Sequence, residues 1–264
     1  MTGTVMLASA ACALGLVLAV WAVSVAIRDV SIIDIAWGLG FVLIAWVCFA
    51  LGHGERDRRL LLAILVTVWG LRLAGHIGRR NAGRGEDRRY AAMREREGER
   101  FRFTSLYRVF LVQAIAMWIV SLPLQAGGSL GGGGGIGAVD AIGIAVWAIG
   151  FGFESIGDLQ LDRFKADEAN RGKVMDRGLW RYTRHPNYFG DATMWWGLGI
   201  LAAGAGAAAL WALAGPALDT FTLTRVSGKP MLERDIEARR PGYRDYIERT
   251  SGFVPLPPKR PRAV

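Results

Sequence analysis

The residues best placed to do chemistry lie between Gly178 and Asp191, where the chain reads GLWRYTRHPNYFGD directly before an apolar run. The polar residues of this motif are Arg181, Tyr182, Arg184, His185, Asn187 and Tyr188. Charged and hydrogen-bonding groups are costly at membrane depth, so they usually face a partner or a ligand. This concentration of basic and polar groups favours a large anionic cofactor as the ligand.

Further ionisable side chains interrupt the other apolar segments of the chain. They are Asp34 in the second segment, Arg72 and His76 in the third, Glu154 and Asp158 in the fifth, Asp191 at the start of the sixth and Arg225 at the end of the seventh. Together they predict a polar cavity open to the cytosol. Each also has a simpler explanation, because end residues can snorkel to the interface and Arg72 could pair with a carboxylate of the fifth segment.

Asp34 differs from the other groups because no basic residue accompanies it on its own predicted helix. A protonated carboxyl here could donate a hydrogen bond to a substrate carbonyl. The alternative is a hydrogen bond that only packs this helix against a neighbour.

Membrane helices must position these groups. The chain is 52% hydrophobic with a mean hydropathy of +0.26, which is typical of a polytopic membrane protein. A spanning helix needs roughly 20 apolar residues. Seven segments qualify, at about 4–27, 31–51, 60–78, 106–126, 138–160, 188–206 and 207–226. The sequence therefore predicts an all-α fold in which residues 1–264 form one membrane domain with seven transmembrane helices, and Cys12 and Cys48 are expected to be free, buried thiols.

The placement of the arginines predicts the orientation. Loops rich in Lys and Arg stay in the cytoplasm, which puts the basic loop 79–104 and the tail 227–264 inside and the N-terminus outside. The Gly-rich loop 127–137 is then external, and it carries no charge. The loop from His53 to Arg59 carries three arginines on the outer side and runs against this scheme.

The motif GLWRYTRHPNYFGD, together with SIIDIAW around Asp34 and RPGYRDYIERTSGFVPLPP near the C-terminus, resembles the steroid 5-alpha-reductase family of membrane NADPH-dependent enone reductases. The resemblance is strongest to the bacterial members and extends from Asp29 to about Pro258. It implies seven transmembrane helices, with NADPH held in a cytoplasmic cavity. We therefore expect a multi-pass protein of a bacterial inner membrane that contacts lipids, acts on a lipophilic steroid-like substrate, is monomeric and has no nucleic-acid partner.

The resemblance also implies the cofactor contacts. On the third helix they fall on Arg72 and His76, and in the polar turn after that helix on Arg80 and Asn81. On the fifth helix they fall on Glu154 and Asp158, with a basic residue at Lys165. In the C-terminal motif they fall on Asn187, Tyr188 and Asp191, with Arg225 and Lys229 after the seventh helix. The neighbouring Arg181, Tyr182, Arg184 and His185 complete the predicted cofactor site.

The catalytic pair implied by the resemblance is Asp34 and Trp69, where the steroid enzymes have a glutamate and a tyrosine that hold the 3-oxo group. The implied reaction transfers hydride to the β-carbon of an enone and a proton to its α-carbon, giving a 5-alpha product from a 3-oxo-4-ene steroid. Asp34, assisted by Trp69, would stabilise the charge that develops on the carbonyl oxygen. An indole N–H can donate a hydrogen bond but cannot give up a proton.

Two other functions compete with the reductase. Isoprenylcysteine carboxyl methyltransferases bind S-adenosylmethionine through a similar arginine–histidine–proline–x–tyrosine element. The SIIDIAW element and the arginine-rich loop after Arg72 favour the reductase, because a methyl donor without phosphates needs less positive charge. A transporter or scaffold would have polar residues through the full membrane depth, whereas here they gather toward one side.

Overall fold

The computed structural model describes residues 2–131, 135–228, 233 and 240–259. The structure is 80% helical and the described residues form no β-strand, which confirms the all-α prediction. The chain divides into two compact units. The first comprises Met1–Asp140 and Leu201–Gly215, and the second comprises Ala141–Ile200 and Pro216–Val264.

The first unit is built from helices that follow one another with short connections. Its described α-helices are α1 (Thr2–Ile27), α2 (Ile32–Leu51), α3 (Arg56–Asn81), α4 (Arg88–Glu97), α5 (Phe101–Ser105), α6 (Leu111–Val120) and α7 (Leu122–Ser129). A 3₁₀ turn, Gly98–Arg100, joins α4 to α5, and a π-helical turn, Leu106–Phe110, joins α5 to α6. A 3₁₀ segment, Ala207–Leu213, also belongs to this unit.

Helices α2 and α3 approach closely where two glycines face each other. A Cβ atom added to Gly38 would lie 2.5 Å from the carbonyl oxygen of Gly70, and one added to Gly70 would lie 2.6 Å from that of Gly38. Only glycine permits such backbone proximity. Because the two helices run antiparallel, this contact places the start of α2, with Asp34, beside the last turns of α3.

The opposite end of α3 explains two of the three arginines that ran against the predicted orientation. Arg58 is buried and donates from Nε to Asp140 Oδ1 at 2.7 Å and from Nη2 to Asp140 Oδ2 at 3.0 Å. Arg59 donates to the carbonyl oxygens of Phe49 and Gly52 at 2.6 and 2.5 Å, where α2 ends. These two arginines therefore stabilise the fold, and their charge is poor evidence about orientation.

The second unit contains most of α8 (Ala138–Ala166) and α9 (Pro186–Ala203), together with α10 (Ala214–Phe221) and α11 (Tyr243–Arg249). Glycines also allow α8 and α9 to pack closely. A Cβ atom at Gly150 would lie 2.3 Å from the Met194 nitrogen, and one at Gly190 would lie 2.3 Å from the Glu154 nitrogen. This packing fixes the register between the polar residues of α8 and those at the start of α9.

Five helices in the described part of the chain are long and apolar enough to cross a membrane. They are Thr2–Ile27, Ile32–Leu51, Arg56–Asn81, the helical stretch Arg88–Val120, and Ala138–Ala166. They confirm a multi-pass membrane protein. The two further spans expected from the sequence are not among them. The polar residues of the motif open α9, and residues 207–226 consist of a 3₁₀ segment, α10 and a π-helical turn, Thr222–Val226.

Two predicted loops differ from the structure. The expected external loop 127–137 begins inside α7, where Gly127 and Gly128 are buried. A Cβ atom on Gly127 would lie 2.5 Å from Leu62 Cδ1, so glycine serves close packing here rather than flexibility. The expected loop 79–104 is largely helical, because α3 continues to Asn81 and α4 and α5 follow. Both described thiols are free; Cys48 is buried, but Cys12 is only partly so.

Candidate active site

The C-terminal half of α3 carries a row of nitrogen-bearing side chains. Arg72, His76 and Arg80 are spaced four residues apart and are all half-buried. Residues at this spacing share one helical face, so the row is about 12 Å long at the normal helical rise. Arg80 Nε donates to Asn81 Oδ1 at 3.3 Å, and the helix ends at Asn81. The structure thus brings the predicted cofactor residues of the third helix together at one end of α3.

Asp34 accepts two hydrogen bonds from the first turn of α4. The Arg89 Nη2 donates to Oδ2 at 2.8 Å, and the Tyr90 hydroxyl donates to Oδ1 at 2.9 Å. Both carboxyl oxygens of Asp34 are therefore engaged by side chains of α4. The sequence showed no basic partner for Asp34 on its own helix, since Arg89 lies 55 residues further along the chain.

The start of α4 is held against α2 by Asp87. This residue caps α4 by accepting a hydrogen bond from the Arg89 backbone at 2.9 Å, and its own N–H donates to Ser31 Oγ at 2.6 Å. Burial tends to raise the pKa of Asp87, but the hydrogen bonds and positive charge of Arg89 outweigh burial and hold that pKa below its ordinary value. Arg89 therefore bonds to both Asp87 and Asp34, and the adjacent Tyr90 bonds to Asp34 through its hydroxyl.

Trp69, the other predicted catalytic residue, is fully buried. Its ring packs edge-on against Phe41 of α2, with the centroids 5.6 Å apart and the planes at 63°. This contact lies in the α2–α3 interface next to the facing glycines Gly38 and Gly70. The structure therefore gives Trp69 a packing role, and its direct contact with a substrate stays a prediction.

The second unit has its own buried polar cluster. Glu154 and Asp158 on α8 are 3% and 6% exposed, and Asp219 on α10 is 7% exposed. The Asn187 side-chain amide donates to Asp158 Oδ1 at 3.1 Å. Glu154 and Asp219 lie close enough to interact electrostatically. Such a cluster of acceptors suits a ligand that brings N–H or O–H donors.

Arg184 of the motif is committed to contacts within the protein. Its Nε donates to Glu233 Oε1 at 2.7 Å and its Nη2 to Glu233 Oε2 at 3.3 Å. Its Nη1 donates to the carbonyl oxygens of Ile247 and Thr250 at 3.1 and 2.6 Å. A guanidinium has five N–H donors, so four contacts leave little capacity for a phosphate. The structure assigns Arg184 a structural role that the sequence did not predict.

His185 shares the same carboxylate. Its Nε2 lies 3.0 Å from Glu233 Oε1, and its ring stacks on Tyr188 with the centroids 5.5 Å apart. Burial opposes the charge on Glu233, but hydrogen bonds from His185 and Arg184 prevail and lower the pKa of Glu233 to about 2. Glu233 is thus a charged residue that holds the beginning of α9.

The C-terminal segment, residues 243–259, is bonded to the backbone of the motif. Arg184 N donates to Ser251 O at 2.9 Å, Thr183 Oγ1 donates to Phe253 O at 2.8 Å, and Leu256 N donates to Tyr182 O at 3.0 Å. The Tyr246 hydroxyl donates to the carbonyl oxygen of Trp180. Burial raises the pKa of Tyr246, which keeps this hydroxyl protonated and able to donate. Part of the motif therefore serves as a docking platform for the C-terminal segment.

The remaining predicted residues lie at more open positions. Arg181, Tyr182, Lys165 and Arg225 are exposed, and Asp191 is half-buried in the second turn of α9. Lys229 lies outside the described residues. Three residues that the sequence did not single out, Tyr90, Asp219 and Glu233, belong to these polar clusters. Only Asp219 carried a usable signal, since it is an acidic residue inside a predicted span.

Comparison with known proteins gives a family but no activity. An uncharacterized protein of Schizosaccharomyces pombe (strain 972 / ATCC 24843) is 26% identical over 200 residues, which cover 66% of this chain and 58% of that protein. This chain therefore spans less than two thirds of its relative's length. No solved structure matches the chain. Residues 20–250 match the model of a family described as "Protein of unknown function (DUF1295)", and the chain belongs to that family.

Proposed function

We propose that the protein is a membrane enzyme that uses NADPH to reduce the carbon–carbon double bond of an enone in a lipophilic, steroid-like substrate. The resemblance of its motifs to the steroid 5-alpha-reductase family supports this proposal, and five apolar helices support the membrane setting. The proposal includes seven spans, an outer N-terminus, a cytoplasmic C-terminus and a monomer in a bacterial inner membrane.

The row of Arg72, His76 and Arg80 on α3 is the observation that carries the proposal. NADPH has several phosphate groups, and a row of donors about 12 Å long suits such a ligand better than a single carboxylate. Guanidinium groups match the geometry of phosphate oxygens, and Asn81 adds an amide at the end of the row. These residues therefore fit NADPH, which when bound would supply the hydride for the reduction.

The substrate carbonyl is best assigned to Tyr90, with Asp34 as its positioning residue. A tyrosine hydroxyl can turn from Asp34 to a carbonyl oxygen, whereas Asp34 remains bonded to Arg89. A positioned donor of this kind lowers the barrier, because negative charge develops on the carbonyl oxygen during reduction. In this assignment Trp69, which is buried in the α2–α3 interface, packs behind the site.

Glu154, Asp158 and Asn187 are the candidate cofactor contacts of the second unit. Carboxylates and amides bind the amide and hydroxyl groups that a nucleotide cofactor carries. Arg184 and His185 hold Glu233 and the C-terminal segment, so we give them a positioning role rather than direct contact with the cofactor.

The identity of the cofactor is tested by what the purified protein retains. The full chain is purified in mild detergent and denatured, and the released small molecules are identified by mass spectrometry. We expect NADP(H). Release of S-adenosylmethionine or its demethylated product would overturn the proposal in favour of a methyltransferase.

The row on α3 is tested by a matched pair of substitutions. Arg72→Gln should weaken NADPH binding by about tenfold, the usual effect of losing one charge-assisted hydrogen bond. Arg56→Gln makes the same chemical change at the exposed opposite end of α3 and should leave NADPH binding unchanged. Binding is measured from NADPH fluorescence in lipid nanodiscs. Equal affinity of both variants would remove Arg72 from the site.

A further inference from the structure

A polar cavity lies in the first unit, and none of its lining residues belongs to the row on α3. It has a volume of about 240 Å³ and lies between the end of α1 and the α4–α5 connection. Its lining includes Arg28, Arg94, Arg102 and Glu99, with Ser24 and Val25 on α1. We call it the arginine cleft. None of these residues belongs to the proposed reductase site.

The charge of the arginine cleft favours an anion. Its lining holds three arginines and one glutamate, and the carboxylates of Glu86 and Asp29 also lie close enough to interact with Arg94. Arg94 is held by Glu86 through bonds of 2.8 Å from both Nε and Nη2. Arg28 and Arg102 have exposed side chains, which are available to a ligand from outside.

Arg28 occupies a backbone conformation that glycine normally takes. Its φ is +55°, and it is the only described non-glycine residue with a positive φ. The Asp29 N–H donates to Ser24 O at 3.1 Å, which closes α1 with a Schellman motif and makes Arg28 the left-handed residue. Glycine would adopt this conformation with less strain. The backbone conformation of the turn therefore does not explain why residue 28 is arginine, whereas a role for the arginine side chain would explain it.

The position of the cleft points to a lipid as the source of the anion. Arg28 immediately follows the candidate span Thr2–Ile27, so it lies where a membrane helix reaches the interface. Leu14, Leu18 and Val25 lie on one face of α1, at spacings of four and seven residues. Leu14 and Leu18 are exposed, whereas Val25 lines the cleft. An apolar stripe therefore leads along the membrane helix directly to the arginines.

We propose that the arginine cleft binds the phosphodiester headgroup of an anionic membrane phospholipid, with the acyl chains along the Leu14–Leu18 face of α1. Arg28 and Arg102 donate to the phosphate oxygens, as guanidinium groups do to phosphates generally. A volume of 240 Å³ is smaller than the roughly 300–1,000 Å³ of pockets that enclose a whole ligand. It therefore suits a headgroup whose tails remain outside. This site is independent of the proposed reductase activity.

Lipid binding to the purified full chain tests the proposal. Native mass spectrometry measures retention of phosphatidylglycerol, with phosphatidylcholine and inorganic phosphate as separate titrations. The R28Q/R102Q variant should bind phosphatidylglycerol about 30-fold more weakly, since each arginine near anionic lipid contributes about fivefold. The matched R96Q/R100Q variant loses two exposed arginines that do not line the cleft, and its binding should be unchanged.

The outcomes distinguish specific lipid binding in the arginine cleft from nonspecific attraction to the positive surface charge. Equal weakening in both double variants, or none in R28Q/R102Q, would overturn the proposal. Phosphatidylcholine or inorganic phosphate binding as tightly as phosphatidylglycerol would also overturn it, the latter in favour of a free-anion site. If R28Q/R102Q lacks a thermal unfolding transition, the single variant Arg102→Gln is used instead, because substitution of an exposed side chain should leave the fold intact. This variant should bind phosphatidylglycerol about fivefold more weakly than the wild type.

Discussion

Replacing Glu233 with glutamine removes the charge that holds the beginning of α9. Glu233 accepts bonds from Arg184 at 2.7 and 3.3 Å and lies 3.0 Å from His185. Glutamine keeps the size of the side chain but leaves the buried Arg184 guanidinium without its counter-charge. We therefore expect the contact between the motif and the C-terminal segment to weaken.

The size of the effect follows from the pKa of Glu233. A decrease from 4.5 to about 2 corresponds to about 3 kcal/mol of preferential stabilisation of the charged form. The side chain is 16% exposed, so solvent screening reduces this value to about 2 kcal/mol. For a chain of this size, 2 kcal/mol lowers the melting temperature by about 4–8 °C.

The difference between wild type and Glu233→Gln should depend on pH. The pKa of Glu233 is lower in the folded protein than its ordinary value of 4.5, so its stabilisation is fully present above pH 4.5. It is lost as the pH falls from about 4.5 toward about 2. Thermal unfolding is followed by intrinsic fluorescence at pH 7, 5, 4 and 3, which roughly spans that titration. The difference in melting temperature between the wild type and Glu233→Gln should be constant above about pH 4.5 and should become smaller below it.

The matched control is Glu248→Gln on α11. Glu248 is 72% exposed and lies 4.0 Å from Arg244, a surface pair that should contribute little. This control should melt like the wild type at every pH. A Glu233→Gln protein that also melts like the wild type at pH 7, or a gap unchanged at pH 3, would refute the role of Glu233.

Three further substitutions test other contacts. Arg58→Met leaves the buried Asp140 carboxylate unpaired and should destabilise the protein by about 3–5 kcal/mol in thermal unfolding; a loss typical of a surface pair would contradict the buried geometry. Gly70→Ala places a Cβ atom 2.6 Å from the Gly38 carbonyl oxygen and should cost about 1–3 kcal/mol, whereas unchanged stability would show that α2 and α3 separate easily. Tyr90→Phe should keep NADPH bound but slow enone reduction about 100-fold or more, the usual contribution of a positioned hydrogen-bond donor to a developing oxyanion; an unchanged rate would show that its hydroxyl does not contact the substrate carbonyl.

Helical periodicity made part of the site predictable from the sequence. A spacing of four residues puts Arg72 and His76 on one face of α3, and Glu154 and Asp158 on one face of α8, whatever packs around them. The apolar character of α1, α2, α3 and α8 was also predictable from the sequence, because hydropathy is a local property of each segment. The first glycines of the run, Gly127 and Gly128, were predicted to be in a loop but lie in α7, because composition alone does not distinguish a glycine in a loop from one that allows close packing.

The roles of individual polar residues depended on partners far away in the chain. Tyr90 meets Asp34 across 56 residues, Arg184 meets Glu233 across 49, and Arg58 meets Asp140 across 82. No local pattern encodes such separations.

The sequence by itself determined that this is a helical membrane protein with polar groups in specific spans, because hydropathy and helical spacing are set by neighbouring residues. Only the tertiary structure decided that Arg184 holds the C-terminal segment, that Asp34 accepts hydrogen bonds from Tyr90 and Arg89, and that Trp69 packs between helices. The physical reason is that the role of a charged or hydrogen-bonding group depends on which polar groups are buried next to it. Those partners are brought together only when the helices pack.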